Sequence, residues 1–287
     1  MAITEITCES ALNKLKRKIP FGWDLNIYRG CSHACNYCYA IYSHQYLNSD
    51  GFYDDIFVKT NIVEQLEKEL SSPSWKREVI NIGGVTDSYQ KAEESYRFMP
   101  QILKLLIKYR TPAIISTKST LVLRDYDLID ELSRVTYINI AASITTMDEN
   151  VRKKIEPGGA PSTERFAMLK EFRKTNASIG LHVMPIIPYI TDSRENMEAL
   201  CVNARECGAD YMLPGTLYLR GATRNVFFES IRKKFPEEYI KLQAMYKTGA
   251  ASKEYKDHLY EMVNELRKQY GISSSYAKPM KEKMHRD

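Results

Sequence analysis

No window of about twenty consecutive apolar residues occurs in the 287-residue chain, which excludes an ordinary transmembrane helix. The stretch Met1 to Lys18 also lacks the continuous apolar core of a secretory signal, so a cytoplasmic protein without membrane contact is expected. Eleven prolines are scattered rather than massed, and neither an internal repeat nor a low-complexity linker is visible. Cysteine is limited to six residues, too unevenly clustered for a disulfide framework. In a reducing compartment such residues read as thiols or metal ligands. An excess of one charge is also missing from most of the chain. The net charge of +5 resides entirely from Arg224 onward, where fourteen Lys and Arg face nine Asp and Glu. That excess reads as a solvated helical face with a basic tail (Lys278, Lys281, Lys283, Arg286), or alternatively as a contact with nucleic acid or another polyanion.

What is present has an ordered pattern. Short β-branched runs alternate with helical patterns between about residues 24 and 213, the signature of repeated βα units and a parallel sheet. Strands are expected at Leu25 to Tyr28, Val79 to Ile82, Ala113 to Thr117, Tyr137 to Ile144, Ile179 to Met184 and Tyr211 to Leu213. Between them, apolar residues recur at helical spacing, as in Ile62, Val63, Leu66 and Leu70. Asp148, Ser162 and Asp192 with Ser193 stand where helix caps are expected. Beyond Leu219 the pattern turns to charged, tyrosine-rich helices. The reading is therefore an α/β domain over residues 1–222 and a helical, basic extension over 223–287. In such sheets the loops after the strands' C-terminal ends carry chemistry, because they open on one face. Cys31, Gly83 to Asp87, Thr117 to Ser119 and Ser143 to Thr146 fall in those loops.

The densest chemistry lies in residues 30–40, where Cys31, Cys35 and Cys38 have the spacing C-x3-C-x2-C. Soft thiolates select iron–sulfur clusters or zinc. An ordinary cubane takes four cysteines, and a fourth is absent locally. A zinc site completed by His33 or His44 is the alternative, although the two separated pairs of a zinc finger are missing. A cubane with one open iron could instead bind the amino and carboxylate groups of S-adenosylmethionine (SAM), bringing its sulfonium beside the cluster.

The run Asn26-Ile27-Tyr28-Arg29-Gly30-Cys31, the run Cys35-Asn36-Tyr37-Cys38-Tyr39-Ala40, Gly84-Val85-Thr86-Asp87, Thr117-Lys118-Ser119, Arg152 with Glu156-Pro157, and Pro185-Ile186-Ile187-Pro188 extend this reading. Together they resemble the radical SAM superfamily, in the branch related to spore photoproduct lyase, from about Ser10 to Pro236. The resemblance implies a partial (β/α)6 TIM-like barrel with a 4Fe–4S cluster on Cys31, Cys35 and Cys38. It further implies reductive cleavage of SAM to a 5′-deoxyadenosyl radical, with flavodoxin or ferredoxin as reducing partner. Tyr37 and Tyr39 would stand beside SAM, Tyr39 being the candidate catalytic residue. Gly83, Gly84, Thr86 and Asp87 would border SAM's amino group, Lys118 would pair with its carboxylate, and Ser143 would contact its ribose or methionine part. In the lyase, the position matching Gly84 holds a cysteine that returns a hydrogen atom to the product. Here no thiol is present. The substrate is therefore left open, with nucleic-acid lesion repair and a non-catalytic zinc-stabilised binding module as alternatives. Glu156 and Arg165 are read as a structural ion pair, His182 as a hydrogen-bonded core histidine, and Cys8, Cys201 and Cys207 as packing residues.

Overall fold

The computed structural model describes residues 2–16, 21–47, 49 and 51–284, so Lys18 and Arg286 lie outside the described residues. The described residues form ten strands: β1 (Ala2–Ile6), β2 (Leu12–Lys14), β3 (Trp23–Leu25), β4 (Tyr28–Arg29), β5 (Asp55–Lys59), β6 (Ile80–Ile82), β7 (Ala113–Thr117), β8 (Ile138–Ser143), β9 (Ser178–Ile186) and β10 (Tyr211–Thr216). Seven of them form one sheet in the order β10-β9-β8-β7-β6-β3-β2. All neighbours from β3 to β10 pair in parallel, and only β2 joins antiparallel, at the edge. The six expected strands are thus the six parallel ones, in sequence order, joined by helical crossovers as parallel strands require. The result is an α/β fold of the partial-barrel kind.

Alternation along the strands separates two environments. Ile179, Leu181 and Val183 of β9, like Ala113 and Ile115 of β7, are buried in the main apolar core. There they meet the helices Ile62–Leu70, Phe98–Lys108 and Ser162–Phe172, which contribute Leu66, Leu103 and Leu169. The intervening residues of the same strands, among them Ser116 and His182, occupy the opposite, inner face. Burial of that outer seam, at about 25 cal/mol per Å² of apolar surface, is the main force holding helices to sheet.

Two expectations are corrected. Tyr28 does not extend the first barrel strand, which ends at Leu25; it belongs to β4 in a separate sheet of order β1-β5-β4. Strands of two or three residues carry too little periodicity to announce themselves. Ser162 is the first helical residue rather than the cap, and its hydroxyl donates to the Thr146 carbonyl at 2.7 Å. Asp148 and Ser193 do cap, accepting from Val151 N and Asn196 N respectively.

From Ala222 the chain forms the helices Ala222–Lys234, Pro236–Met245, Lys253–Gln269 and Ala277–Met284. Phe227, Phe228, Ile231, Leu242 and Tyr246 make a second core with Cys35, Tyr37, Ile155 and Ile187. Leu259, Val263 and Leu266 join the main core instead. Among the described residues, no helix is long and apolar enough to cross a membrane.

Candidate cluster and cofactor site

The cysteine loop leaves β4 through Gly30, whose φ of +83° suits a residue without a side chain. A Cβ there would also lie 2.6 Å from the Asp55 carbonyl oxygen. The loop is pinned from several sides. Cys31 N donates to the Phe52 carbonyl, Asn36 N to the Ile155 carbonyl, and Tyr53 Oη to the Cys35 carbonyl. Gln90 bridges it by accepting from Ser32 N and donating to the Gly30 carbonyl, both at 3.0 Å. From far along the chain, Thr223 Oγ1 donates to the Cys38 carbonyl and Asn36 Nδ2 to Ser230 Oγ, each at 2.9 Å. A loop so held can present three thiols with little freedom left to lose on binding a cluster.

The thiols sense one another. Burial pushes the Cys31 thiol well up, with Asp87, Cys35 and Cys38 adding to the rise. Burial likewise pushes Cys35 up to about 12, against the pull of the Lys118 ammonium. Cys38 is raised by burial too, opposed by the Ala40 backbone N–H and by Lys118. Among the described residues, no three His, Cys, Asp or Glu side chains converge on a single ion. Three soft donors in one pinned loop fit an iron–sulfur cluster.

Asp87 organises the wall beside the loop. Its carboxylate accepts from Thr117 Oγ1 (2.9 and 3.0 Å), Lys118 N (2.8 Å) and Tyr89 N (2.9 Å), and faces His33 Nε2 at 2.9 Å. Burial alone would raise its pKa, but the neighbouring His33 and the backbone donors overcome this and hold it at about 2. The other ring nitrogen of His33 lies 2.9 Å from the Gly158 carbonyl. Both nitrogens thus lie beside oxygen atoms, which fixes the ring against the loop. Thr86, expected near SAM, donates its hydroxyl to the Gly30 carbonyl at 2.6 Å and so also holds the loop.

Lys118 leaves the end of β7 on the inner face and places Nζ 5.8 Å from the centre of the Tyr37 ring. Burial opposes its charge, yet Cys35, Glu156 and Asp87 outweigh burial and Arg165, leaving its pKa raised. Tyr37 itself is buried, and its hydroxyl donates to Glu156. Glu156 and Arg165 form a fully buried ion pair at 2.7 Å, and Arg165 also donates to the Ser143 carbonyl at 2.6 Å. The Arg165 guanidinium thereby ties the ends of two loops together. Ser143 is half-buried at the end of β8, paired in register with His182.

Gly83 and Gly84 follow β6 directly. The Gly84 carbonyl accepts from Tyr39, whose ring is 61% exposed and therefore forms an outer rim of the site. On the other side, a Cβ at Gly84 would come within 2.6 Å of Asp24 Oδ2, and Asp24 Oδ1 accepts from Asn81 Nδ2 at 2.8 Å. In this chain a carboxylate borders the space a side chain at position 84 would need. Sequence reasoning did not single out Asp24, because a lone acid in a three-residue strand carries no local signal.

His182 lies deeper on the inner face. The Tyr211 hydroxyl donates to Asn139 Oδ1 at 2.9 Å, so it accepts from His182 Nε2 at 3.2 Å, which leaves His182 Nδ1 to accept from Ser116 Oγ at 3.0 Å. This is the hydrogen-bonded histidine expected from the sequence. Cys201 and Cys207 are buried in the main core, as expected of packing residues.

The sequence profile of the Radical SAM superfamily matches residues 25–201. An uncharacterized protein of Mycobacterium tuberculosis is 34% identical over 278 residues, covering 95% of this chain and 82% of its own length. An uncharacterized protein of Acidianus two-tailed virus is 24% identical over 270 residues, covering 91% of this chain and 84% of its own. Among solved structures, spore photoproduct lyase complexed with dinucleoside spore photoproduct superposes with a TM-score of 0.68 at 14% identity, over 93% of this chain and 79% of that one. At that identity the likeness concerns the fold.

Proposed function

We propose, from the premise that this chain belongs to the radical SAM superfamily, that it cleaves SAM reductively at a 4Fe–4S cluster and acts on its substrate through a 5′-deoxyadenosyl radical. Membership implies SAM and an iron–sulfur cluster. The observation that carries the finer reading is the trio Cys31, Cys35 and Cys38 in one pinned loop, with the Lys118 ammonium close enough to influence Cys35 and Cys38. When bound together, cluster and SAM supply a one-electron reduction that splits a carbon–sulfur bond, giving methionine and a radical that takes hydrogen from substrate.

The chain's own residues bind and orient. Cys31, Cys35 and Cys38 would hold three irons. Lys118 would pair with the SAM carboxylate, a charge-assisted bond strengthened by its half-buried setting. Gly83 and Gly84 offer backbone polar groups without side-chain bulk, and Tyr39 holds the Gly84 carbonyl in place. The C-terminal helices close the back of the loop and exclude water there. A flavodoxin or ferredoxin is the proposed electron donor.

The test is anaerobic. Protein reconstituted with iron and sulfide and reduced with dithionite should carry about four irons per chain. It should also form 5′-deoxyadenosine and methionine in equal amounts from SAM, and Cys35→Ala should do neither. A colourless wild-type protein after reconstitution, or a brown one that never cleaves SAM under reduction, would overturn the reading.

A further inference from the structure

We propose that the cavity between the β4–β5 strand pair and the 3₁₀ segment Tyr39–Leu47 is a phosphate subsite for the substrate. The cavity has a volume of ≈ 250 Å³, and both Arg29 and Lys59 line it. Arg29 pairs in register with Phe57, two residues before Lys59, so all three side chains share one face of the small sheet. Lys59 is only 6% exposed. Among the described residues neither cation makes an ion pair, whereas Arg124, Arg152 and Arg165 are all matched by carboxylates. Ser43, 1% exposed, also lines the cavity, and among the described residues its hydroxyl has no partner.

A buried cation without a counter-charge is costly, and a second cation beside it adds to the cost. The cost is visible at Lys59, where burial lowers the pKa against an opposing pull from the Cys8 thiol, and Arg29 adds a smaller push downward. An anion in the cavity would relieve both cations and meet the idle Ser43 hydroxyl. Asn13, Tyr42 and Tyr46, residues that carry further donor groups, also line it. Two adjacent cations with several neutral donors suit the charge and the many acceptor oxygens of a phosphate better than a monoanionic carboxylate. The volume falls below the roughly 300–1,000 Å³ of a complete small-molecule site, so the cavity accommodates one group of a larger molecule. The rings of Tyr42 and Tyr46, 45% and 71% exposed, leave apolar surface for the remainder.

Val85, directly after Gly84, forms part of the wall, and its N–H is held by Asn26 Oδ1 at 2.9 Å. The cavity therefore backs onto the loop assigned to SAM. Assigning the phosphate to the substrate rests on the radical SAM reading above, whereas binding itself needs neither electrons nor SAM.

The anaerobically reconstituted protein is titrated calorimetrically, at low ionic strength, with inorganic phosphate, a 5′-mononucleotide and a dinucleoside monophosphate. At least one ester should bind, and Lys59→Met and Arg29→Gln should each weaken it tenfold or more. Preference for the mononucleotide would mark a phosphomonoester substrate, and preference for the dinucleotide a phosphodiester one. Should Lys59→Met fail to fold, the partly exposed Arg29→Gln carries the comparison alone. Exclusion of both esters, or ester binding indifferent to these substitutions, would overturn the proposal. Loss of SAM cleavage with intact ester binding would instead strike only the reading it rests on.

Discussion

Lys118 joins two parts of the site. Its backbone N–H is fixed by Asp87 and its ammonium lies over Tyr37, so both ends of the residue are placed by groups that also shape the cysteine loop. A hydrogen bond to a charged group contributes about 1.5–3 kcal/mol, which corresponds to roughly 10–100-fold in affinity. Lys118→Met should therefore raise the Kd for SAM by that factor while leaving the iron content unchanged, as equilibrium binding and iron analysis would read. An unaltered Kd would remove Lys118 from the carboxylate contact. At Gly84 the expectation concerns stability. A methyl group would push Asp24 away from Asn81, breaking a hydrogen bond whose net value is about 1 kcal/mol. Gly84→Ala should cost about that much in denaturant unfolding, and the cost should vanish in an Asp24→Ala background. Equal costs in both backgrounds would show that Asp24 is not what constrains the position.

At the scale of elements, the helix Ala222–Lys234 behaves as a buttress for a loop nearly two hundred residues earlier. Thr223 and Ser230 bond the loop directly, and Phe227, fully buried, packs in the core that contains Cys35 and Tyr37. Phe227→Ala should destabilise the protein by about 3–5 kcal/mol. It should also speed the bleaching of the cluster by a chelator, which the visible absorption follows. Bleaching at the wild-type rate despite the lost stability would uncouple this helix from the loop. Such a contact is invisible in sequence, because nothing in Thr223 or Ser230 names a partner so distant. The parts legible beforehand share a local cause. Most of the barrel strands announced themselves by β-branched residues, as in Val79 to Ile82 and Ala113 to Thr117, and the cysteines by their spacing within eight residues. The Glu156–Arg165 pair was read from a separation of nine residues. The sheet β1-β5-β4 escaped notice because β4 has only two residues and nothing local in β1 or β5, five residues each, names its distant partner. The cation pair Arg29 and Lys59 escaped with it, since only that sheet brings the two together.

Across the whole molecule, the inner face of the barrel is polar where the outer face is apolar: Asn81, Ser116, Asn139 and His182 stand opposite the Ile and Leu residues of the same strands. An interior of this kind must be satisfied by its own hydrogen bonds, and it makes stability sensitive to acid. Burial, with a further push from Lys118, lowers the pKa of His182 from 6.5 to about 4. The unfolded chain therefore takes up a proton below about pH 6.5 while the folded one refuses it until about pH 4. Since the unfolded state binds more protons throughout that window, stability must fall as pH drops across it and is fully present above. The shift corresponds to about 2–3 kcal/mol once the partial exposure of the ring is allowed for. His182→Gln keeps a donor and an acceptor but cannot titrate, so its unfolding free energy should decline less than the wild type's between pH 6.5 and 4. Because both proteins carry the same cysteine loop, any acid lability of a bound cluster cancels in the difference. Parallel pH profiles would mean that His182 can be protonated in place, and that the Ser116–His182–Tyr211 chain tolerates a charge at the heart of the barrel.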